Sequence, residues 1–331
     1  MHHVPGFIEG RLRGLRGALA AILLGFAAPA AAAYPERPIR VVMPFPAGGT
    51  VDVVARLIAD EMGKTIGRPL VFEYKPGAGG ILATETTARA TPDGYTILVT
   101  TPSHTINPAL RARLPFDTEQ DLVPVSLMAN VPELLVAHPA APFNSLAEMV
   151  AYARANPDRV NYSSAGTGTL PHITMELLLR RAGVKVTHIP YKGAAPALSD
   201  LLAGSIQLKM DTYVTSAQHL AAGKLKVLAT AGAVRLAQLP NVPTIAESGF
   251  PGYEGYLWIG MVAPRGTPAE AINALSGAIA HAIKVPRVVE RLRTDGIETA
   301  PGGADYLGRL ISREIAQWTR VVREANISAT D

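Results

Sequence analysis

The chain contains no cysteine in 331 residues. That excludes disulfides, thiolate metal sites, a cysteine nucleophile and a lipid-modified cysteine. A strong charge of one sign is also missing. The 31 lysines and arginines stand against 27 aspartates and glutamates, and no basic stripe runs along any segment, so a nucleic-acid partner is not expected. Past the N-terminus no apolar run is long enough to span a bilayer. Nucleotide fingerprints are missing too: Gly166-Thr167-Gly168 is followed by Pro171 where G-x-G-x-x-G needs its third glycine, and G-x-x-x-x-G-K-[ST] occurs nowhere. Neither H-E-x-x-H nor G-x-S-x-G is found. No cofactor and no metal is expected.

What is there begins with a basic stretch, Arg11-Leu12-Arg13-Gly14-Leu15-Arg16, then the apolar run Ala18 to Ala28, then Ala30-Ala31-Ala32-Ala33 before the polar Tyr34-Pro35-Glu36-Arg37. This pattern predicts a secretory signal peptide over residues 1–33, cleaved near Ala33/Tyr34, and hence a periplasmic product. A stray apolar helix or membrane anchor is the alternative. No adjacent Arg-Arg pair supports a twin-arginine route. The remaining length is enough for two lobes, each burying its own core, which explains how a secreted chain does without disulfides.

The 27 prolines and 30 glycines are scattered, so they punctuate turns rather than form a low-complexity tract. Between them, strand and helix patterns alternate. Strands are predicted at 39–43, 70–74 and 95–99, with helices from about Thr50 to Gly67 and up to Ala90. After a strand at 134–137 that leaves the first lobe, Ser145-Leu146-Ala147-Glu148 is a capping box opening a helix that ends at Asn156-Pro157. The alternation then restarts: strands at 160–164, 184–189 and 206–210, helices at 170–182 and 194–203. Further strands are predicted at 225–230 and 256–262. Thr267-Pro268-Ala269-Glu270 opens a helix, and a long amphipathic helix runs from about Tyr306 to Ala325. The expected fold class is α/β, two doubly wound lobes of parallel sheet covered on both faces, with a central cleft at the carboxyl ends of the strands.

Four loops that follow strands are rich in Gly, Ala and Pro: 44–49, 75–80, 165–169 and 190–193. Small residues let backbone N–H groups approach a ligand, and each loop runs into a helix N-terminus with its partial positive charge. Together these make an anion site that needs no arginine. Taken singly, each loop also fits a plain tight connection. Asp52, in the first turn of the first helix, either complements the helix dipole or meets the ligand. Asp211, at the end of a strand, either accepts a ligand hydrogen bond or caps its own turn. Lys192 is a cation within the loops that can meet a distal carboxylate or simply stay solvated. His172 and Glu176 share a helix face but lack a third metal ligand, and a structural histidine is the plainer reading. A hydrolytic triad of Ser164, His172 and Asp211 is the enzymatic alternative. A docking protein that binds no small molecule is another.

The organisation, together with Tyr34-Pro35-Glu36-Arg37-Pro38-Ile39-Arg40, Pro44-Phe45-Pro46-Ala47-Gly48-Gly49, Pro76-Gly77-Ala78-Gly79-Gly80, Pro92-Asp93-Gly94-Tyr95-Thr96, Asn161-Tyr162-Ser163-Ser164-Ala165-Gly166-Thr167-Gly168, Pro190-Tyr191-Lys192-Gly193-Ala194-Ala195-Pro196-Ala197, Pro243-Thr244-Ile245-Ala246-Glu247 and Ala263-Pro264-Arg265-Gly266-Thr267-Pro268, resembles the tripartite tricarboxylate transporter receptors, or Bug family. The resemblance covers essentially all of the chain after the signal peptide. It implies a type II periplasmic binding protein fold closing as a Venus flytrap, with no enzymatic activity. It implies capture of a small carboxylate (a di- or tricarboxylate, an amino acid or an aromatic acid) for membrane permease subunits or a sensor kinase, by a protein expected to be a monomer.

In that family the loop after the first strand holds a ligand carboxylate through backbone groups and bridging water. Carried over, this places Phe45, Ala47, Gly48, Gly49 and Asp52 at the site, faced by Ala165, Gly166, Thr169 and Asp211. Gly77, Ser103 and Lys192 complete the candidate set. Lobe 1 is expected to comprise 34–135 and 232–331, and lobe 2 to comprise 136–231. Two departures from the family pattern, Tyr74 and the run Thr212-Tyr213-Val214-Thr215-Ser216, fall near the expected cleft. Tyr213 is the candidate for an aromatic wall.

Overall fold

The computed structural model describes residues 34–324 together with 1–2 and 327. The expected signal peptide and its cleavage point lie outside them, apart from the first two residues and Tyr34. In chain order the elements are β1 (Ile39–Met43), α1 (Thr50–Ile66), β2 (Leu70–Tyr74), α2 (Ile81–Ala88), β3 (Thr96–Thr100), α3 (Ser103–Leu110) and β4 (Leu122–Ala137). Then come α4 (Leu146–Ala155), β5 (Asn161–Ser164), α5 (Leu170–Ala182), β6 (Thr187–Pro190), α6 (Ala194–Leu202), β7 (Leu208–Thr212), α7 (Tyr213–Ala221) and β8 (Lys226–Thr230). The chain ends with β9 (Tyr256–Pro264), α8 (Ala269–Ala282), α9 (Pro286–Thr294), β10 (Glu298–Gly303) and α10 (Ala304–Glu324).

The strand order is β2-β1-β3-β9-β4-β7-β5-β6, with β10 and β8 also paired to β4. Strand β4 serves two sheets. Its first part, Leu122–Pro132, pairs antiparallel with β9, and its last part, Glu133–Ala137, pairs antiparallel with β7. The chain therefore passes between two halves at Pro132 and Glu133. It returns at Gly255, whose carbonyl accepts the Glu133 N–H. Among the named strands, parallel pairing is found in β2-β1-β3 in one half and β6-β5-β7 in the other, so the sheets are mixed rather than wholly parallel as expected.

Each half buries its own core. In the first, Val51, Val54, Ala55, Ile58 and Met62 form the buried face of α1 and pack with α8 and α9 against β1, β3 and β9. The helix stops at Gly67, whose φ of 69° is the left-handed cap that glycine takes without a Cβ penalty. In the second half, Tyr162, Phe143, Met175 and Met210 centre the core. The segment after β8, which the sequence reading assigned to lobe 1, stays with this second half. A parallel bridge from Thr230 to Thr244 holds it there, and Ile245, Phe250 and Tyr253 pack into that core.

Candidate ligand-binding site

Five helices begin at one cavity. Its lining includes Gly49, Thr50 and Val51 at the start of α1, and Ser103 at the start of α3. It also includes Thr169, Leu170 and Pro171 at α5, Ala194 at α6 and Thr212 at α7. Helices α1 and α3 come from one half, and α5, α6 and α7 from the other. First-turn N–H groups have no i−4 partner inside their own helix, and no N-cap side chain accepts from them; at α3 the Thr101 hydroxyl and carbonyl and the Pro102 carbonyl take up the first N–H groups. The enclosed space is about 50 Å³. A narrow, apolar-walled hollow ringed by helix N-termini with their positive dipole ends favours a small anion with a hydrocarbon body.

The floor is charged. Lys209 and Asp211 form an ion pair of 2.7 Å with both side chains at most 2% exposed. Glu133, from the strand crossing, accepts a hydrogen bond from the Thr174 hydroxyl at 2.7 Å and borders the same space. Burial pushes the Glu133 carboxyl up to about 8; the Thr174 hydroxyl and Lys209 oppose the rise, and the nearby Asp211 adds to it.

Of the residues expected from sequence, Phe45, Gly49, Ser103, Ala165, Thr169 and Asp211 line this cavity. Gly77, Gly166 and Lys192 line an adjoining groove of about 230 Å³, together with Phe45 and Ala165. They sit at the rim. Ala47, Gly48 and Asp52 border neither space. Asp52 instead accepts the Gly48 N–H at 3.0 Å, the Tyr74 hydroxyl at 2.5 Å and Arg56 Nε at 2.9 Å. It shapes the first glycine loop from behind, and the departure at Tyr74 is part of that support. Asp211 accepts from Lys209 and Thr215 at Oδ1 and from Ser216 at Oδ2, which anchors Lys209 and the start of α7. Tyr213 packs against the cluster around Leu134 and Val136 and is not among the cavity residues, so it forms no aromatic wall; Phe45 stands there instead.

Sequence reasoning missed Glu133, Lys209, Thr101 and Thr50, all on the cavity wall, and Thr212, which it placed only near the cleft, stands there too. The signal for one of them was present: a glutamate inside Val-Pro-Glu-Leu-Leu-Val breaks a buried-strand pattern, whereas Lys209 alternates with Gln207 in Ile-Gln-Leu-Lys-Met and reads as solvent-facing.

The hydrolytic triad does not assemble. Ser164 Oγ pairs with His188 Nε2 at 2.7 Å, and His172 stacks on the His188 ring at 4.3 Å between centroids. Burial lowers His172 to about 4 and His188 to about 3, so both rings are neutral. Asp211 is taken up by Lys209, Thr215 and Ser216. Glu176 accepts from Tyr162 rather than sharing a metal with His172, and no group of metal-binding side chains occurs among the described residues.

The halves touch directly around the cavity. Thr50 Oγ1 and Thr212 Oγ1 are 2.7 Å apart and buried. Thr50→Val removes this bond across the cleft while leaving both cores alone. A net hydrogen bond of about 1 kcal/mol predicts a roughly fivefold loss of ligand affinity by calorimetry. Unchanged affinity would show that the bond plays no part in the liganded state.

Comparison with known proteins agrees with this geometry. Residues 54–327 match the family model described as tripartite tricarboxylate transporter family receptor. The chain belongs to that family. A relative from Pseudomonas sp. (strain P51), the UPF0065 protein in the tcbD-tcbE intergenic region, is 38% identical over 322 residues, which is 97% of this chain and 96% of the relative. The structure of periplasmic binding protein BugD superposes with a TM-score of 0.86 at 34% identity, covering 89% of this chain and 99% of that one. R. palustris Rpa4515 with adipate gives a TM-score of 0.86 at 36% identity, with coverage of 89% and 99%. The fold is thus that of the periplasmic binding proteins. As a tripartite tricarboxylate transporter receptor the chain is a solute-binding protein and not an enzyme, and the family partners tripartite transporters.

Proposed function

We propose that this receptor captures a small carboxylate in the periplasm, between two lobes that close on it. The carrying observation is the convergence of five helix N-termini on one cavity. The adipate complex of Rpa4515 supports a carboxylate as the occupant, and the periplasmic placement of BugD supports the location. Six of the expected ligand residues (Phe45, Gly49, Ser103, Ala165, Thr169 and Asp211) form the inner site. Gly77, Gly166 and Lys192 form its mouth, and Ala47, Gly48 and Asp52 set the loop that roofs it. The lobes meet at the crossings near Glu133 and Gly255, which serve as the hinge. The mature chain begins near Tyr34, acts as a monomer, and hands its solute to membrane permease subunits or presents it to a sensor kinase.

A thermal-shift screen over organic acids tests this reading. A true ligand at a hundred times its Kd stabilises the folded state by about 2.7 kcal/mol, a shift of several degrees. A screen in which no carboxylate raises the unfolding temperature would refute the proposal and revive the docking-protein reading.

A further inference from the structure

The third glycine loop, 165–169, needs support from outside itself. Gly166 and Gly168 take φ of 129° and 83°, and glycine backbone has the most freedom to leave any one conformation. Within the loop there is one tie, where the Thr169 N–H and hydroxyl both donate to the Gly166 carbonyl, at 3.2 and 2.6 Å. Yet this loop supplies Ala165 and Thr169 to the cavity wall and meets the opposite half. A Cβ added to Gly168 would stand 2.5 Å from Asn107 Oδ1, and one added to Gly79 would stand 2.5 Å from the Thr167 carbonyl oxygen. The rest of the support comes from behind. The Gly166 N–H donates to Ser164 Oγ at 3.1 Å, and Ser164 Oγ lies 2.7 Å from His188 Nε2. Ser164 is fully buried, and no other acceptor meets its hydroxyl among the described residues. The serine proton therefore goes to His188 Nε2, which makes that ring the Nδ1–H tautomer. His172, in the first turn of α5, stacks on His188, and its Nδ1 accepts the Gly168 N–H over a longer 3.5 Å. Tyr162 also stacks on His188, at 4.8 Å between centroids.

We infer that His188, held in its stack with His172 and Tyr162, is a positioning residue: through Ser164 it fixes the Gly166 N–H and presets the third glycine loop for the closed, liganded cleft. This rests on the reading of the cavity as a carboxylate site. It also accounts for a histidine at this place. The buried Gly166–Ser164 pair needs a terminal acceptor, and a phenyl ring in its stead would accept nothing. A carboxylate would accept, but it would set a negative charge behind a loop that borders an anion site. A neutral imidazole accepts without charge, and burial, helped by the neighbouring His172, keeps His188 neutral. Loop residues held in advance cost less to order when the solute arrives. Ser164 and His172, candidates for a hydrolytic triad by sequence, thus serve the grip on a solute.

The test joins NMR on the unliganded mature chain with calorimetry. Ring-nitrogen spectra at neutral pH are expected to show His188 as the neutral Nδ1–H tautomer; an Nε2–H tautomer would mean that Ser164 does not donate to it and would overturn the inference. His188→Phe keeps a ring in the stack and removes the acceptor, whereas His188→Gln returns an acceptor on a side chain of similar reach. Without ligand, the Gly166 amide is expected to exchange its hydrogen about tenfold faster in His188→Phe, with the β5 and β7 amides unchanged, and His188→Gln is expected to restore the protection. Calorimetry then uses citrate, adipate, glutamate and benzoate. For each acid that the parent binds, His188→Phe and Ser164→Ala are expected to bind about tenfold weaker, and His188→Gln within about threefold of the parent. The unfolding temperature separates this role from a merely structural one: His188→Phe is expected to unfold no earlier than the parent while losing affinity. Unchanged Gly166 exchange or parent-like affinity in His188→Phe, or a loss that His188→Gln shares in full, would overturn the inference and leave the carboxylate site standing. Binding of none of the four acids by the parent would overturn both.

Discussion

Asp211→Ala is expected to destabilise the fold by roughly 3–5 kcal/mol, because it leaves the buried Lys209 ammonium without its counter-charge. From sequence alone, Asp211 reads either as a ligand contact or as the cap of its own turn. The geometry makes it first a counter-ion. Lys209 is enclosed by β4, β7 and the cavity floor, and the Met210 carbonyl cannot neutralise it. The same substitution also frees Thr215 and Ser216, which hold the carboxylate at the start of α7. Urea denaturation gives the loss directly. The double variant Lys209→Met/Asp211→Leu is expected to recover most of it, since a buried ion pair exchanged for apolar groups of similar volume is often neutral or better. A denaturation midpoint for Asp211→Ala within error of the parent would mean that water reaches Lys209, and the floor would no longer count as a dry, charged surface.

The contrast between Asp211 and the glycine loops shows what a sequence can and cannot disclose here. The loops were legible because local chemistry dictates them: Gly49, Thr169 and Gly193 precede helices directly, and apolar spacing marks those helices without reference to the rest of the chain. Their convergence was legible only through the order of strands. By contrast, most of β4 went unseen because Pro124 and Pro132 interrupt it, and proline ordinarily argues against an interior strand. The structure tolerates them through register shifts between Pro124 and Ser126 and by ending the β9 pairing at Pro132. Helix α7 begins in a run of β-branched and aromatic residues, Thr212-Tyr213-Val214-Thr215, whose local preference is overridden by packing against Leu134 and Val136. Helix α3, with Pro108 inside it, has too few turns to show a period. Ser103 opens α3, Thr212 is the N-cap of α7, and Glu133 lies in β4 just before the expected strand at 134–137, so the unpredicted segments border much of the inner site. Lys209 and Asp211 share one face of β7 by the strand's period of two, but that the pair is dry follows from burial of β7, which is a property of the assembled sheet.

Closure itself is testable at Gly79, and the expected effect is large. Gly79 lies in the second glycine loop, and a Cβ built there would stand 2.5 Å from the Thr167 carbonyl oxygen of the opposite half. Backbone cannot swing aside as a side chain does, so Gly79→Ala must either part the two loops or distort them. Its φ of 63° also charges alanine about 1 kcal/mol in any conformation. That second cost is separable. Gly67 has nearly the same φ, 69°, and nothing within 4 Å of its would-be Cβ. Gly67→Ala therefore carries the backbone strain without touching the cleft. Both variants are expected to lose about 1 kcal/mol of stability without ligand, but only Gly79→Ala should lose affinity, by about a hundredfold, as the liganded state is denied its closed form. Small-angle scattering with ligand should show Gly79→Ala more extended than the parent. If both variants bind as tightly as the parent, the loops part at no cost, and shutting of the cleft contributes nothing to the grip on the solute. The comparison is sharp because the two residues share a backbone conformation and differ only in what stands across from them.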